Sequence, residues 1–130
     1  MVRRPRRPYG VDVRVLICDD EPDVRLLYRM AFEDLGAEVS EAIDGDDCIE
    51  QMVVICPDLV ILDLYMPNRD GLSALPELKR CCPGARVVVV SAHAAQDAFA
   101  RSRARGATAC FEKLSFMARI PRLVERYGAA

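Results

Sequence analysis

Five side chains suited to phosphate chemistry follow short apolar runs in this chain. Asp19 and Asp20 follow VRVLIC, Asp63 follows LVIL, Ser91 follows VVVV, and Lys113 follows ACFE. Such runs read as buried parallel strands. In an open parallel α/β sheet, ligands bind beyond the carboxyl ends of the strands. One fold would therefore gather three carboxylates, a hydroxyl and an ammonium at one edge. Carboxylates held close together repel and raise one another's pKa values. A divalent cation removes that cost, and Mg²⁺ prefers carboxylates with retained waters, the setting in which it usually meets phosphate. Each residue also has an ordinary explanation. Asp20-Glu21-Pro22 can be a turn and helix start, Asp63 a loop residue, and Lys113 a solvated lysine. Their joint placement at strand ends favours a site.

The elements that would position them alternate strand and helix five times. Strand β1 is read at Val13–Cys18 and helix α1 at Pro22–Leu35, with Pro22 in the first turn and Gly36 after the end. Val24, Leu27, Tyr28, Ala31, Phe32 and Leu35 keep helical spacing. Strand β2, Glu38–Ala42, is the most polar and reads as a sheet edge. Helix α2 starts near Asp46 after the Asp44-Gly45 turn and ends before Pro57. Strand β3 is Leu59–Asp63. Helix α3 starts near Gly71, with Pro76 tolerated because it lies near that start. Strand β4 is Val87–Ser91, α4 about Ala94–Arg105, and β5 Ala109–Lys113. The last helix, α5, is capped by Ser115, and Pro121 predicts a kink or a true start near Arg119.

The stretches CDDEPDVR, LDLYMPNRDG, VVVVSAH and GATACFEK, in this order, resemble the receiver domain of two-component response regulators. The resemblance runs from about Val13 to Tyr127. It implies an α/β, (βα)5 flavodoxin-like doubly wound sheet in the order 2-1-3-4-5, an order already known for receivers. It implies that Asp20 and Asp63 ligate Mg²⁺, with Mn²⁺ as a substitute, together with the backbone carbonyl of Tyr65, while Asp19 acts partly through water. Asp63 would take the phosphoryl group as an acyl phosphate. Lys113 would neutralise the transferring oxygens and Ser91 would donate to them once they arrive. Side chains at Tyr65 and His93 would border the path of hydrolytic water.

Two positions depart from the family pattern. The switch position, usually aromatic, is Cys110; Phe111 is adjacent but on the opposite sheet face. The residue after the lysine, usually proline, is Leu114, so the bond there is expected to be trans, or a strained cis bond costing ~3 kcal/mol.

Residues 1–10, MVRRPRRPYG, carry four arginines and two prolines and read as a flexible arm; residues 11–130 form the receiver. A net charge of −2 gives no drive toward nucleic acid or membrane. No apolar stretch approaches the ~18 residues of a membrane span, and no signal peptide is evident, so a cytoplasmic location is expected. The six cysteines lack zinc spacing and are expected to be reduced and mostly buried, with Cys81-Cys82 the pair most open to oxidation. The function implied is a regulatory phospho-acceptor, not an enzyme beyond its own phosphoryl transfer and dephosphorylation. Its partners would be a sensor histidine kinase or phosphotransfer protein, and a downstream protein on the α4-β5-α5 face, where Arg101, Arg103, Arg105 and Arg119 favour an acidic surface. A phosphorylation-dependent dimer is another output. Alternatives are a fragment of a DNA-binding regulator, or a phosphatase or phosphotransferase with an aspartyl-phosphate intermediate. The haloacid-dehalogenase type of the latter needs an Asp where Tyr65 stands.

Overall fold

The sequence order places each short strand run before a helix, and connections of this kind give right-handed crossovers onto both faces of a parallel sheet. The computed structural model, which describes residues 13–92 and 96–127, has this arrangement. Five parallel strands lie in the order β2-β1-β3-β4-β5. They are β1 (Arg14–Cys18), β2 (Glu38–Ala42), β3 (Leu59–Asp63), β4 (Arg86–Ser91) and β5 (Ala109–Glu112). The residues expected to form the arm, and His93, lie outside the described residues.

Alternation along the central strands splits the core in two. Leu16, Cys18, Val60, Leu62, Val87 and Val89 face α2 (Gly45–Ile55), α3 (Gly71–Cys81) and α4 (Gln96–Ala104). Val15, Ile17, Leu59, Ile61, Val88 and Val90 face α1 (Pro22–Asp34) and the C-terminal helices. Phe32 and Phe116 are fully buried in this second layer, and Tyr28 meets Phe116 edge-on at 5.0 Å between ring centroids.

Local signals set the helix ends. Asp44 accepts from the Asp47 N–H at 2.8 Å and Asp70 from the Ser73 N–H at 2.7 Å, satisfying two otherwise orphaned donors. Gly36, at φ 86°, ends α1: its N–H reaches Glu33 O, and the Ala37 N–H reaches Phe32 O. This double closure needs the left-handed residue that glycine supplies most cheaply.

Three expectations need correction. The C-terminal helix does not start after Ser115. It comprises α5 (Lys113–Phe116), a 3-10 turn (Met117–Arg119) and α6 (Ile120–Tyr127). Lys113 is thus the first residue of a helix rather than the last of a strand. The tighter turn absorbs the constraint of Pro121, which sits in the first turn of α6 where a missing N–H costs nothing.

Pro76 is the sixth residue of α3, beyond the first turn. It leaves the Leu72 carbonyl without a helical donor. The Arg105 guanidinium takes that carbonyl at 3.0 Å, so the partner comes from the end of α4 rather than from α3 itself.

The cysteines are not all free thiols. Cys18 is joined to Cys48 and Cys56 to Cys82, with Cα separations of 6.1 and 5.8 Å, inside the span of a disulfide. Sequence separations of 30 and 26 residues carry no local signature, and the pairing arises because α2 lies over β1 and ends beside the end of α3. Cys81 and Cys110 are free, so the vicinal pair is not joined.

Candidate functional site

Parallel register brings the chemical residues to one edge. Cys18 pairs with Leu62, Asp63 with Val90, and Ser91 with Glu112, so Asp19, Asp63, Ser91 and Lys113 all lie at or one residue past the strand ends. Lys113 Nζ is 3.0 Å from Asp19 Oδ2, 3.3 Å from Asp63 Oδ2 and 3.7 Å from Glu21 Oε1. Asp63 Oδ1 accepts from the Tyr65 N–H at 3.3 Å. Asp19 and Asp63 are buried, whereas Asp20 and Glu21 are exposed.

Carboxylate oxygens of Asp19, Asp20 and Glu21 lie within 4.8 Å of one another. This all-oxygen, partly open donor set suits a hard divalent cation that keeps waters, and not zinc, which favours sulfur and imidazole. Glu21 was legible as part of a helix start; its place in the cluster follows from the bend between β1 and α1.

The electrostatics favour an occupied site. Burial pushes the Asp63 carboxyl from 3.8 up to about 6; the Asp19 charge adds to this, and Lys113 and the Tyr65 N–H oppose it. Burial acts against the Lys113 ammonium, but its hydrogen bond to Asp19 and the Asp63 charge outweigh that and hold it above its ordinary range. Tyr28, under the same edge, is pushed up to about 12, chiefly by burial. Ser91 is fully buried, and among the described residues its Oγ has no hydrogen-bond partner. Buried orphan hydroxyls are uncommon and call for an explanation.

The loop after Asp63 is tightly held. A side chain at Gly71 would collide with the Asp63 carbonyl oxygen, so only glycine lets α3 start this close to the acidic residue. The Gly71 N–H donates to Leu64 O at 3.0 Å. Asn68, at φ 64°, donates through Nδ2 to Asp44 Oδ2 at 3.0 Å, and the Gly45 N–H donates to Arg69 O at 2.8 Å. These bonds pin the loop to the start of α2.

Other expected positions are less central. Tyr65 is 54% exposed, at the rim of the site, with its N–H on Asp63. Cys110 and Phe111 lie on opposite sheet faces as expected. Cys110 Sγ reaches Phe99 O at 3.8 Å, while the Phe111 ring lies 6.1 Å from that of Phe116, under Arg119. Among the described residues no peptide bond is cis, so Lys113–Leu114 is trans. No described helix is long and apolar enough to cross a membrane.

Residues 15–125 match the response regulator receiver domain. The chain belongs to this family. It is 40% identical over 107 residues to the transcriptional regulatory protein PdtaR of Mycobacterium tuberculosis, covering 80% of this chain and 51% of that protein. It is 29% identical over 114 residues to sporulation initiation phosphotransferase F of Bacillus subtilis, covering 88% of this chain and 92% of that one. The chain thus spans about half the length of PdtaR and most of the length of the second relative. Among solved structures, NtrX of Brucella abortus superposes with a TM-score of 0.80 at 32% identity, over 88% of this chain and 27% of that one. The response regulator domain of Thermotoga maritima CheB gives 0.74 at 27% identity, over 88% and 92%. The receiver function and the 2-1-3-4-5 fold read from the sequence therefore both hold.

Proposed function

We propose that Asp63 is the phosphoryl acceptor of this receiver, with Lys113 and Ser91 as its assisting groups and Mg²⁺ held at Asp19, Asp20 and Asp63. The observation that carries this is the buried Asp63 carboxylate, anchored by Lys113 at 3.3 Å and bordered by the acidic cluster. The donor's N–P bond breaks, with its electron pair returning to the donor imidazole, and a bond forms from Asp63 Oδ to phosphorus. Lys113 can follow the charge onto the phosphoryl oxygens, since its ammonium already spans Asp19 and Asp63. The Ser91 hydroxyl, without a partner among the described residues, is a donor to the same oxygens. A bound cation would supply charge neutralisation for the incoming phosphate, with the Tyr65 carbonyl as a further ligand.

The phosphodonor is a histidine kinase or phosphotransfer protein. Output runs through the face of α4, β5 and the terminal helices, where Arg101, Arg103 and Arg119 are exposed and suit an acidic partner, or through a phosphorylation-dependent dimer. We place this exchange in the cytoplasm.

Incubation with acetyl phosphate, followed by intact mass, tests the assignment. Wild type should gain one phosphoryl group with Mg²⁺ or Mn²⁺ and none in chelator, and Asp63→Asn should gain none. Equal labelling of Asp63→Asn overturns it.

A further inference from the structure

Asp20 is exposed, yet a metal ligand must point one way. Its direction depends on the peptide plane joining Asp19 to Asp20, because the Asp19 carbonyl and the Asp20 N–H share one rigid unit. On one side of that unit the Asp19 N–H is fixed to Ala42 O at 3.1 Å, and Asp19 Oδ1 accepts from the Glu21 N–H at 2.9 Å. The Asp19 carbonyl itself accepts from Arg25 Nη1 at 2.8 Å. Arg25 is not free to wander. Its Nε donates to Glu41 Oε1 at 2.8 Å, and the other Glu41 oxygen accepts from Arg29 Nε at 2.7 Å. The Arg25 side chain is 14% exposed.

From this geometry we infer that Arg25, buttressed by Glu41 and Arg29, is a positioning residue that sets the Asp19–Asp20 peptide and thereby aims the Asp20 carboxylate at the cation. The guanidinium suits the task because its rigid fork holds the carbonyl and Glu41 at the same time. A lysine ammonium is a point donor on a flexible stem and cannot reproduce both bonds in one geometry. Without Arg25 the Asp19 carbonyl loses its donor among the described residues, and the peptide can turn toward water. The cost falls on metal affinity rather than on the phosphoryl-transfer step, since neither Asp63 nor Lys113 touches Arg25.

This inference rests on Asp20 being a metal ligand, and the experiment separates the two. Mg²⁺ binding is measured by calorimetry on wild type, Asp20→Asn, Arg25→Met, Arg25→Lys and Glu41→Gln, with thermal melts alongside. Arg25→Met should bind Mg²⁺ about tenfold more weakly, the scale typical of lost support around metal ligands. Arg25→Lys should fall between it and wild type, and Glu41→Gln should weaken binding less than Arg25→Met. Labelling by acetyl phosphate should be slow at limiting Mg²⁺ and return close to the wild-type rate at saturating Mg²⁺. If Arg25→Met melts lower but binds Mg²⁺ as wild type does, Arg25 is merely structural and the inference fails. A Glu41→Gln protein that keeps its melting temperature covers the case in which Arg25→Met does not fold: unchanged Mg²⁺ affinity in it overturns the buttress. If Asp20→Asn binds Mg²⁺ like wild type, the ligand assignment fails and takes this inference with it.

Discussion

Replacing Asp63 by Asn should make the metal-free protein more stable at neutral pH. The Asp63 carboxyl is pushed from 3.8 to about 6, first by burial and then by Asp19. A folded-state pKa above the unfolded value means that the fold resists the ionised form. The associated stability is fully present below about pH 4 and is lost as pH rises through about 6. The size follows from linkage: a rise of this extent is worth up to about 3 kcal/mol at pH 7 to 8. Asn is nearly the same shape, is never ionised, and leaves Lys113 its contact with Asp19 at 3.0 Å. The gain in melting temperature should be of the order of 10 °C at pH 7.5, shrinking toward zero near pH 4.5. Urea unfolding of both proteins in chelator across this range measures it. Wild type should also gain stability relative to the variant on acidification from pH 7.5 to 5. Equal stability at pH 7.5, or a gap that widens on acidification, refutes the reasoning, because the Asp63 carboxylate would then not be held at an electrostatic cost.

Gly71→Ala should destabilise by several kcal/mol or displace Asp63, since the added carbon meets the Asp63 carbonyl oxygen; urea unfolding and acetyl phosphate labelling should fall together, and unchanged labelling would show that the loop yields. Phosphorylated Tyr65→Asn should lose phosphate faster than wild type, by about an order of magnitude if an amide orients water where a ring covered it; a slower loss, or a much longer lifetime in His93→Ala, would hand control of hydrolysis to the histidine. Peptide mapping under non-reducing conditions should find Cys18 joined to Cys48 and Cys56 to Cys82, with Cys81 and Cys110 open to alkylation, and full reduction should cost about 2–4 kcal/mol per bridge. Recovery of all six thiols in alkylated form would exclude both bridges.

The sheet was legible because runs such as VVVV and LVIL leave little choice of element, and because parallel strands align their ends. Asp19, Asp63, Ser91 and Lys113 could thus be placed together before any geometry was known. What escaped has a physical pattern. Arg25 is one arginine on an amphipathic helix, and nothing in its spacing says that it turns back onto the Asp19 carbonyl. Glu41 sits on the polar edge strand with no local signal, yet it is paired with two arginines from α1. The bond from Arg105 to the Leu72 carbonyl, and the two cysteine bridges, join residues 26 or more positions apart. Such contacts depend on how helices lie over the sheet, which local pattern does not encode. The break before Ile120 was foreseen from Pro121, but the 3-10 turn that makes it was not.

The seating of α4 has a mechanical consequence. Among its described residues, those fully packed beneath it are Ala98 and Ser102, with Phe99 partly inserted; the Ser102 hydroxyl closes back on the Ala98 carbonyl at 2.7 Å. Below its C-terminal end, Arg105 is clipped to α3. The loss incurred when a buried group moves grows with the hole it leaves. A methyl and a hydroxyl that bonds within its own helix leave little, and Phe99 is only partly inserted. The helix is thus tied at its C-terminal end and lightly seated over Ala98. Filling position 98 with a larger side chain should therefore lift α4 from the sheet without touching the acidic edge.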